Sequence, residues 1–407
     1  MKVLFLTMSR ITSLEERGIY TDLMRKFRSE GHELYIVAPL ERRFGVSTHL
    51  STCDGVFILG VQTLNVQKTN VVEKGLGQFS IEFLYKRAIK KHFADVQFNL
   101  ILYSTPPITL VGVVKYVRRI CPGAVSYLLL KDIFPQNAVD MQMMAKCGVK
   151  APLYWYFRHQ ELKLYKISDH IGCMSPANVR FLLENNSAID SAKLEVNPNS
   201  IELIPRTCTI DGVKIREKYG LPVNIPVFIY GGNLGVPQGI PFLIECLNAV
   251  KNRTDCHFAV VGTGTCLPRL LSWYNANKGG AVTVMEGLPK VEYDELAQAC
   301  QVGLVFLDYR FTIPNYPSRL LSYMEYKMPV IFCSDPNCDA GAIAEKNGYG
   351  FWCPSNNVDY FVETVDRMLN SDMSRMGENG YEFLKANYQV ENSYKIIMSH
   401  FKKAVQV

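Results

Sequence analysis

The second half of the sequence contains three segments whose residue types could bind a phosphate group. The first, Tyr230–Gly235, has the sequence Tyr-Gly-Gly-Asn-Leu-Gly, follows an apolar run and precedes Gln238-Gly239. Glycines let backbone N–H groups approach a ligand closely, and a helix that begins just beyond them favours an anion such as a diphosphate. A tight strand-to-helix turn without a ligand accounts for the pattern equally well, so this segment alone leaves both interpretations open.

The second segment, Val260–Thr265, also joins an apolar strand to a helix and contains Gly262-Thr263-Gly264. It lacks the third glycine of the dinucleotide-binding fingerprint and an acidic residue at the end of a following strand. The first strand, where a nicotinamide-dependent dehydrogenase would carry that fingerprint, continues into Thr-Met-Ser-Arg-Ile-Thr with no glycine before Gly18. The pattern therefore argues against a nicotinamide enzyme.

The third segment, Ile313–Val330, places Arg319 directly after Pro317-Ser318, a pair typical of a helix start. A cation in the first helical turn is poorly placed, because the helix dipole prefers acidic groups there. We therefore predict that Arg319 and nearby backbone amides bind one phosphate together. The alternative interpretation is a solvated arginine without a ligand.

The elements that must position these segments form two series of alternating strands and helices. The strands are continuous apolar runs, which is typical of parallel sheets covered by helices on both faces. A turn-rich passage, Asn197–Pro205, separates the series and is interpreted as a linker, so we predict two doubly wound α/β domains. The predicted strands are Lys2–Leu6, Glu33–Ala38, Leu100–Tyr103, Val125–Leu130, His170–Met174, Val227–Tyr230, His257–Val261, Val282–Met285, Val302–Leu307 and Val330–Cys333. The predicted helices include Gly18–Glu30, Ile240–Lys251, Cys266–Asn275, Glu292–Ala299 and Ser318–Tyr326.

Composition and charge exclude several classes of protein. The chain has 407 residues, 48% of them hydrophobic, which suits two globular cores. Neither a secretory signal nor a membrane span is expected, since the least charged stretch, Phe98–Val117, is broken by Pro106-Pro107. The 12 cysteines include no CxxC pair, so reduced thiols are expected rather than zinc ligands.

The net charge is +8 over residues 1–200 and −2 over the rest of the chain. A basic first half suggests an anionic partner, either a membrane surface or a phosphate-bearing acceptor. The sequence contains no recognised nucleic-acid-binding motif, so no nucleic-acid partner is expected.

The order of the motifs resembles that of retaining glycosyltransferases of the GT-B fold, family 4, and especially the branch that acts in bacterial capsule, O-antigen and exopolysaccharide assembly. The three segments above resemble its donor domain, as does the Gly-Leu loop in Glu286–Pro289. The resemblance extends through the first half of the chain and covers nearly all of the sequence. The resembling segments there are Gly31–Leu34, Lys131–Pro135, Ser168–Ile171, Ser175-Pro176 and Asn197–Asn199.

The resemblance implies an α/β fold of the GT-B type, with two facing doubly wound (Rossmann-like) parallel-sheet domains and an interdomain cleft. Residues 1–200 would bind the acceptor, with residues 391–407 packing back on that domain, and residues 201–390 would bind the nucleotide-sugar donor. The implied reaction is retaining transfer of a sugar from a nucleotide diphosphate sugar, expected to be a UDP-sugar, to a hydroxyl of a lipid-linked or oligosaccharide acceptor. No cofactor or metal is expected, since the sequence has no Asp-x-Asp motif.

Site residues follow from the residue chemistry and the resemblance together. Arg319 is predicted to stabilise the leaving diphosphate. Asp132, after an apolar strand, is predicted to orient or deprotonate the acceptor hydroxyl, with a simple turn cap as the alternative. The predicted acceptor-binding residues are Arg17 and Gly18. The predicted donor-binding residues are Gly231, Gly232, Asn233, Gln238, Gly262, Gly264, Leu288, Tyr316, Ser318 and Ser322.

The sequence departs from the family pattern at three places. The N-terminal glycine-rich acceptor loop is reduced to Arg17-Gly18. The paired glutamates of many family members fall on Pro314 and Ser322, and Gln238 stands where many members have a phosphate-binding lysine. Two other functions stay open. A sugar-nucleotide epimerase would have the same fold, and the missing glutamates suit a nucleotide-sugar-binding protein without turnover.

The expected location is the cytoplasm, including the inner face of the plasma membrane. The predicted helix Tyr154–Lys166 mixes aromatic and basic residues. Such a helix either rests on an anionic membrane leaflet or packs its aromatic side chains into the core, and the sequence does not separate the two.

Overall fold

The computed structural model describes residues 1–65, 71–204 and 210–401. Within them the chain divides into two compact units. The first comprises Met1–Glu202 together with the segment from Gln389 onward, and the second comprises Leu203–Tyr388. Pro205, the predicted end of the linker, and residues 402–407 lie outside the described residues.

The first unit is built on a sheet of eight strands within the described residues. They are β1 (Lys2–Leu6), β2 (Glu33–Glu41), β3 (His49–Cys53), β4 (Val56–Thr63), β5 (Leu100–Ser104), β6 (Val125–Leu130), β7 (His170–Cys173) and β8 (Leu194–Val196). Their order is β3-β4-β2-β1-β5-β6-β7-β8, and neighbours are parallel except for the antiparallel pair β3 and β4. The central strands are buried along almost their whole length, as their continuous apolar sequences require.

Helices cover this sheet. They are α1 (Ile19–Ser29), α2 (Val71–His92), α3 (Val111–Ile120), α4 (Gln136–Asp140), α5 (Ala151–Ile167) and α6 (Pro176–Asn185), with short 3₁₀ turns at Arg42–Phe44 and Ser191–Lys193. The stretch Phe98–Val117 forms β5, a turn and the start of α3. Among helices in the described ranges, none combines the length and the apolar composition of a transmembrane span.

The second unit has a parallel sheet of six strands within the described residues. They are β9 (Val227–Asn233), β10 (His257–Thr263), β11 (Val282–Glu286), β12 (Val302–Phe306), β13 (Val330–Ser334) and β14 (Gly350–Pro354). Its order is β11-β10-β9-β12-β13-β14, so the direction of winding reverses between β9 and β12. Ligands of such sheets bind at the carboxyl ends of the strands beside that reversal.

The helices of the second unit are α7 (Gly212–Lys218), α8 (Ile240–Val250), α9 (Leu267–Ala276), α10 (Lys290–Gln298), α11 (Arg319–Glu325), α12 (Ala340–Lys346), α13 (Val358–Leu369) and α14 (Met373–Asn387), with a 3₁₀ turn at Val236–Gln238. The buried side chains of Phe228, Phe258 and Phe306 centre its core. The chain then returns to the first unit as α15 (Val390–Ser399). There the Tyr394 ring lies edge-on to Phe27 at 5.0 Å, and Val390 and Ile397 join the core.

The predicted α/β class and the predicted strands are confirmed, and each unit is a Rossmann-like domain. The prediction omitted four strands. Three of them carry a weak signal: β3 is exposed and polar, β8 has three residues, and β14 is bounded by Gly350 and Pro354. The fourth, β4, is a buried apolar strand whose signal was present in the sequence.

The boundary between the two units, between Glu202 and Leu203, falls within the segment Asn197–Pro205 that was interpreted as a linker, but the first residues of that segment belong to the folded first unit. Asn197, Asn199 and Ser200 are buried within the first unit. The Lys131 Nζ donates to the Asn197 carbonyl oxygen at 3.1 Å, and the Asn197 amide donates to the Tyr127 hydroxyl at 2.9 Å. Turn-forming residues indicate a change of direction but not whether the turn is buried.

Candidate functional site

The guanidinium of Arg319 lies at the carboxyl end of β9, beside the reversal of the second sheet. Arg319 is the first residue of α11 and is partly exposed. Its Nη1 donates to the Tyr293 hydroxyl at 3.2 Å, and its guanidinium carbon lies 5.6 Å from the centre of the Tyr293 ring. Among the described residues no carboxylate forms an ion pair with it. The site therefore holds a positive charge without a protein counter-charge.

Two glycines make room for this arrangement. A Cβ atom on Gly232 would lie 1.8 Å from Nη2 of Arg319, and the φ of Gly232 is +128°, a region that glycine alone adopts readily. A Cβ atom on Gly231 would lie 2.0 Å from the Tyr293 hydroxyl. Any larger residue at either position would displace the two side chains that meet there.

The Gly262 and Gly264 positions are explained by backbone packing. A Cβ atom on Gly262 would lie 2.1 Å from the carbonyl oxygen of Gly232, and one on Gly264 would lie 2.4 Å from that of Leu234. These glycines allow the ends of β9 and β10 to approach closely. The close approach by itself accounts for both glycines.

Tyr293 connects Arg319 to the sheet, and sequence analysis missed it. Its hydroxyl lies 3.5 Å from that of Tyr323, which donates to the carbonyl oxygen of Ile229 at 3.1 Å. Burial opposes the charge on Arg319, but the hydroxyls of Tyr323 and Tyr293 keep its pKa above the ordinary value. No sequence pattern links Tyr293 on α10 with Arg319 on α11, because packing across β9 brings them together.

The remaining predicted donor residues are dispersed. Asn233 is exposed, and its side-chain amide donates to Gln238 Oε1 at 2.8 Å, so these two residues form one polar pair beside the glycine turn. Leu288 lies in the partly exposed loop after β11. Ser318 precedes α11 as its N-cap residue, and Ser322 is partly exposed one turn later.

Tyr316 is a buried residue of the second unit's core. Its ring packs against Tyr388, with centroids 6.1 Å apart, and the two hydroxyls are hydrogen bonded. Burial raises its pKa well above the ordinary value. In the described part of the chain no hydrogen bond or ring contact joins Tyr316 to Arg319 or to the glycine turn.

In the first unit, Asp132 follows β6 at the carboxyl edge of the sheet. The side-chain amide of Asn137 donates to both of its carboxylate oxygens, at 2.9 and 2.8 Å. Burial raises the pKa of Asp132 to about 6, against the opposing effect of the Ile133 amide and Asn137. Burial raises the pKa of Tyr20, in the first turn of α1, and the negative charge of nearby Asp132 raises it further.

Arg17 and Gly18 lie at the start of α1. Arg17 Nη2 donates to the Glu202 carbonyl oxygen at 2.8 Å, and the Gly18 amide donates to Asp22 Oδ1 at 2.9 Å. The first bond ties the start of α1 to Glu202, and the second caps the first turn of α1. Across residues 1–65, 71–204 and 210–401, no group of three or more His, Cys, Asp or Glu side chains is arranged to hold a metal ion.

The two Rossmann-like units define the fold of GT-B glycosyltransferases. Sucrose-phosphate synthase from Thermosynechococcus elongatus superimposes with a TM-score of 0.75 at 14% identity, covering 99% of each chain. Anabaena HepE, solved in complex with UDP-glucose, superimposes with a TM-score of 0.67 at 13% identity, covering 99% of this chain and all of that one. At such identities these comparisons establish the fold.

The family-level match lies in the second unit: residues 213–383 match the family Glycosyl transferases group 1. Over 328 residues the chain is 23% identical to "Probable glycosyltransferase WbjE" of Pseudomonas aeruginosa, which covers 79% of this chain and 78% of WbjE. It is also 23% identical over 180 residues, 44% of this chain and 43% of the relative, to "Putative colanic acid biosynthesis glycosyl transferase WcaI" of Escherichia coli K12.

Proposed function

We propose that this protein is a retaining glycosyltransferase of family 4 that transfers a sugar from a nucleotide diphosphate sugar, a UDP-sugar, to a hydroxyl of a lipid-linked saccharide. The observation that carries the proposal is the uncompensated charge of Arg319 at the glycine turn that ends β9. The name of WbjE supports glycosyl transfer, and the name of WcaI, which refers to colanic acid biosynthesis, supports a role in polysaccharide synthesis. The proposed product is a surface polysaccharide such as a capsule or O-antigen. The UDP-glucose complex of HepE supports a UDP-sugar donor.

Departure of the nucleotide diphosphate is the step that Arg319 would assist. Negative charge grows on the leaving oxygen as the sugar gains oxocarbenium character, and a fixed cation stabilises that charge more strongly in a partly buried site than in water. Backbone amides of the Gly231–Asn233 turn are the proposed additional donors. Tyr293 holds the guanidinium in place, so little reorganisation is needed during the reaction.

Asp132 is the proposed group that orients or deprotonates the acceptor hydroxyl. A pKa of about 6 leaves it ionised at neutral pH while keeping it more basic than an ordinary aspartate. The two bonds from Asn137 fix the plane of its carboxylate. The proposed reaction uses no metal, so EDTA is expected to leave the rate unchanged, whereas loss of activity restored by Mn²⁺ would contradict this.

The donor site is tested by a thermal-shift panel of UDP, GDP, ADP and CMP without metal. A ligand at a hundred times its Kd adds about 2.7 kcal/mol of stability, which raises the midpoint of a domain of this size by several degrees. We expect a rise that is largest for UDP and is reduced in Arg319→Ala. Arg269→Ala, which removes an exposed arginine on α9, is the matched control and should respond like the wild type.

Turnover then separates the functions that share the fold. Arg319→Ala should lower the transfer rate roughly a hundred- to a thousandfold, as loss of one such donor does elsewhere. Nucleotide binding without transfer or hydrolysis would favour a binding protein, and epimerisation of the sugar nucleotide would favour the epimerase. An Arg319→Ala enzyme with an unchanged rate would remove Arg319 from the site.

A further inference from the structure

Helices α2 and α5 of the first unit expose large apolar side chains next to one another. Phe83 on α2 is 64% exposed and Trp155 on α5 is 57% exposed. The exposed rings of Phe79 and Tyr156 connect the two helices, with centroids 5.2 Å apart. Among the side chains that the structure describes, the exposed apolar residues here are Phe79, Phe83, Met143, Val149, Leu153, Trp155, Tyr156 and Leu162; we refer to them as the α2–α5 face.

In α5, some aromatic side chains are buried in the core and others are exposed, so core packing and an exposed aromatic surface occur in the same helix. Tyr154, Phe157 and Tyr165 are buried and pack into the unit. Trp155 and Tyr156 point outward, and the Trp155 indole donates to the Lys146 carbonyl oxygen at 3.2 Å, which holds the preceding loop against the helix. Core packing therefore explains only one side of α5.

Basic side chains accompany the apolar ones on the same face. On α2, Arg87, Lys90 and Lys91 are exposed and lie beyond Phe79 and Phe83 in the same helix. Around α5, the exposed basic residues are Lys146, Lys150 and Lys166. The basic side chains thus lie in the last turns of α2, and just before the first turn and in the last turn of α5.

The acidic residues of both helices are engaged within the protein. Glu161, in α5, is buried and accepts from Arg158 and from the Tyr165 hydroxyl. Glu82, in α2, accepts from the Gly112 amide at 2.9 Å, and Glu73 pairs with Arg42 at 2.8 Å. The exposed charge that these helices contribute is therefore positive.

We propose that the α2–α5 face docks this protein onto an anionic lipid bilayer, with the exposed aromatic side chains entering the interface and the basic side chains contacting lipid phosphates. Aromatic and leucine side chains flanked by lysine and arginine match the interfacial region of a bilayer. The positive charge selects an anionic leaflet over a neutral one. This inference extends the proposed function, because a lipid-linked acceptor resides in a membrane.

Co-sedimentation with extruded vesicles tests the docking without a sugar donor, so its failure is distinguishable from failure of the proposed reaction. The probes are phosphatidylcholine vesicles with and without about 30 mol% phosphatidylglycerol. We expect binding only to the anionic vesicles, and weaker binding when the salt is raised from about 0.1 M to about 0.5 M, since salt screens exposed charges. No binding to anionic vesicles at low salt would overturn the proposal.

Substitutions assign the binding to this face. Each of Phe83→Ser and Trp155→Ser should weaken partitioning about tenfold, the scale of burying one large apolar side chain. Each of Arg87→Gln and Lys91→Gln should weaken it about fivefold. Val213→Ser removes a side chain that is 53% exposed in the other unit and should bind like the wild type.

A fluorescence measurement covers the case in which a serine variant fails to fold. Lipids brominated in the acyl chains should quench Trp155 in the wild type, and Trp155→Phe should keep binding while losing that quenching. Quenching that is equal in the two proteins would refute insertion of this face. Light scattering tests the alternative that the α2–α5 face contacts a second copy of this chain. If the protein forms an oligomer that Phe83→Ser dissociates, and vesicle binding is unchanged, the face mediates self-association instead.

Discussion

Tyr293→Phe removes the hydroxyl that accepts a hydrogen bond from Arg319 but leaves the ring beside the guanidinium. The wild-type bond joins Nη1 and the hydroxyl oxygen at 3.2 Å, and the ring centre lies 5.6 Å from the guanidinium carbon. The substitution adds no atom near Gly231, so the glycine turn can keep its conformation. We therefore expect the fold to persist while Arg319 is held less firmly.

The size of the effect follows from the kind of bond that is lost. A hydrogen bond to a charged group contributes about 1.5 to 3 kcal/mol. The 3.2 Å separation and the partial exposure of Arg319 favour the lower end of that range. A loss of about 1.4 kcal/mol lowers kcat/KM and the affinity for the nucleotide about tenfold. Tyr293→Ala also removes the cation–π contact and should lower both further.

The assay is calorimetric titration with whichever nucleoside diphosphate gives the largest thermal shift, together with kcat and KM for transfer. Tyr219→Phe is the matched control. The Tyr219 hydroxyl donates at 2.8 Å to Glu292, which lies on α10 beside Tyr293, and it does not contact Arg319. Both variants lose one phenolic hydroxyl, so their Tm values should fall by a similar few degrees at most.

Equal nucleotide affinity and equal kcat/KM in Tyr293→Phe and Tyr219→Phe would refute the positioning argument. A fall in Tm alone, without a change in binding, would show that Tyr293 only supports the packing of α10 against β9. A selective loss of affinity with an unchanged Tm would show that the hydroxyl acts through Arg319.

Three further predictions concern buried or charged groups elsewhere. The transfer rate should rise with pH and level off above about 6, because Asp132 has a pKa of about 6 and must be ionised, and Asp132→Asn should abolish this limb of the pH–rate profile. Burial likewise raises the pKa of Asp335 to about 6, above that of an unfolded chain, so the folded state keeps the proton longer than the unfolded state as the pH rises. Its contribution to stability therefore falls between about pH 4 and pH 6, and Asp335→Asn should flatten the wild-type decline of Tm across that window. Arg216 donates to the carbonyl oxygens of Ala299, Pro222 and Ile225, so Arg216→Met should destabilise the second unit by at least about 3 kcal/mol in denaturant unfolding, and a change below about 1 kcal/mol would contradict this.

Much of the architecture could be predicted from local sequence. Strands such as β6 and β9 are continuous apolar runs bounded by polar or glycine residues, and that pattern has few solutions other than a buried parallel strand. The charge conflict at Arg319 likewise marked the residue that the structure places at the glycine turn. These features depend on neighbouring residues in the chain, which is why periodicity and helix-end chemistry are sufficient to find them.

Tyr316 was predicted to bind the donor, whereas the contact of Tyr293 with Arg319 was not predicted, and both outcomes have the same physical reason. Tyr316 precedes α11 and Tyr293 lies within α10, but Tyr316 is buried against Tyr388 whereas Tyr293 contacts Arg319. The residues that flank the two tyrosines in the sequence do not indicate which side chain each tyrosine contacts. Which face of a helix meets which strand is decided by packing between elements that are distant in the chain.

The sequence by itself determined the class of fold, the order of the strands' apolar runs and the position of the cation at the start of α11. The tertiary structure alone decided that Tyr293 holds that cation, that Asn197–Ser200 is buried in the first unit, and that α5 exposes Trp155 while burying Phe157. The physical reason is range. Hydrophobic periodicity can be read from the residues of a single element. The contacts that position charges and leave aromatic side chains exposed arise only when separate elements pack together.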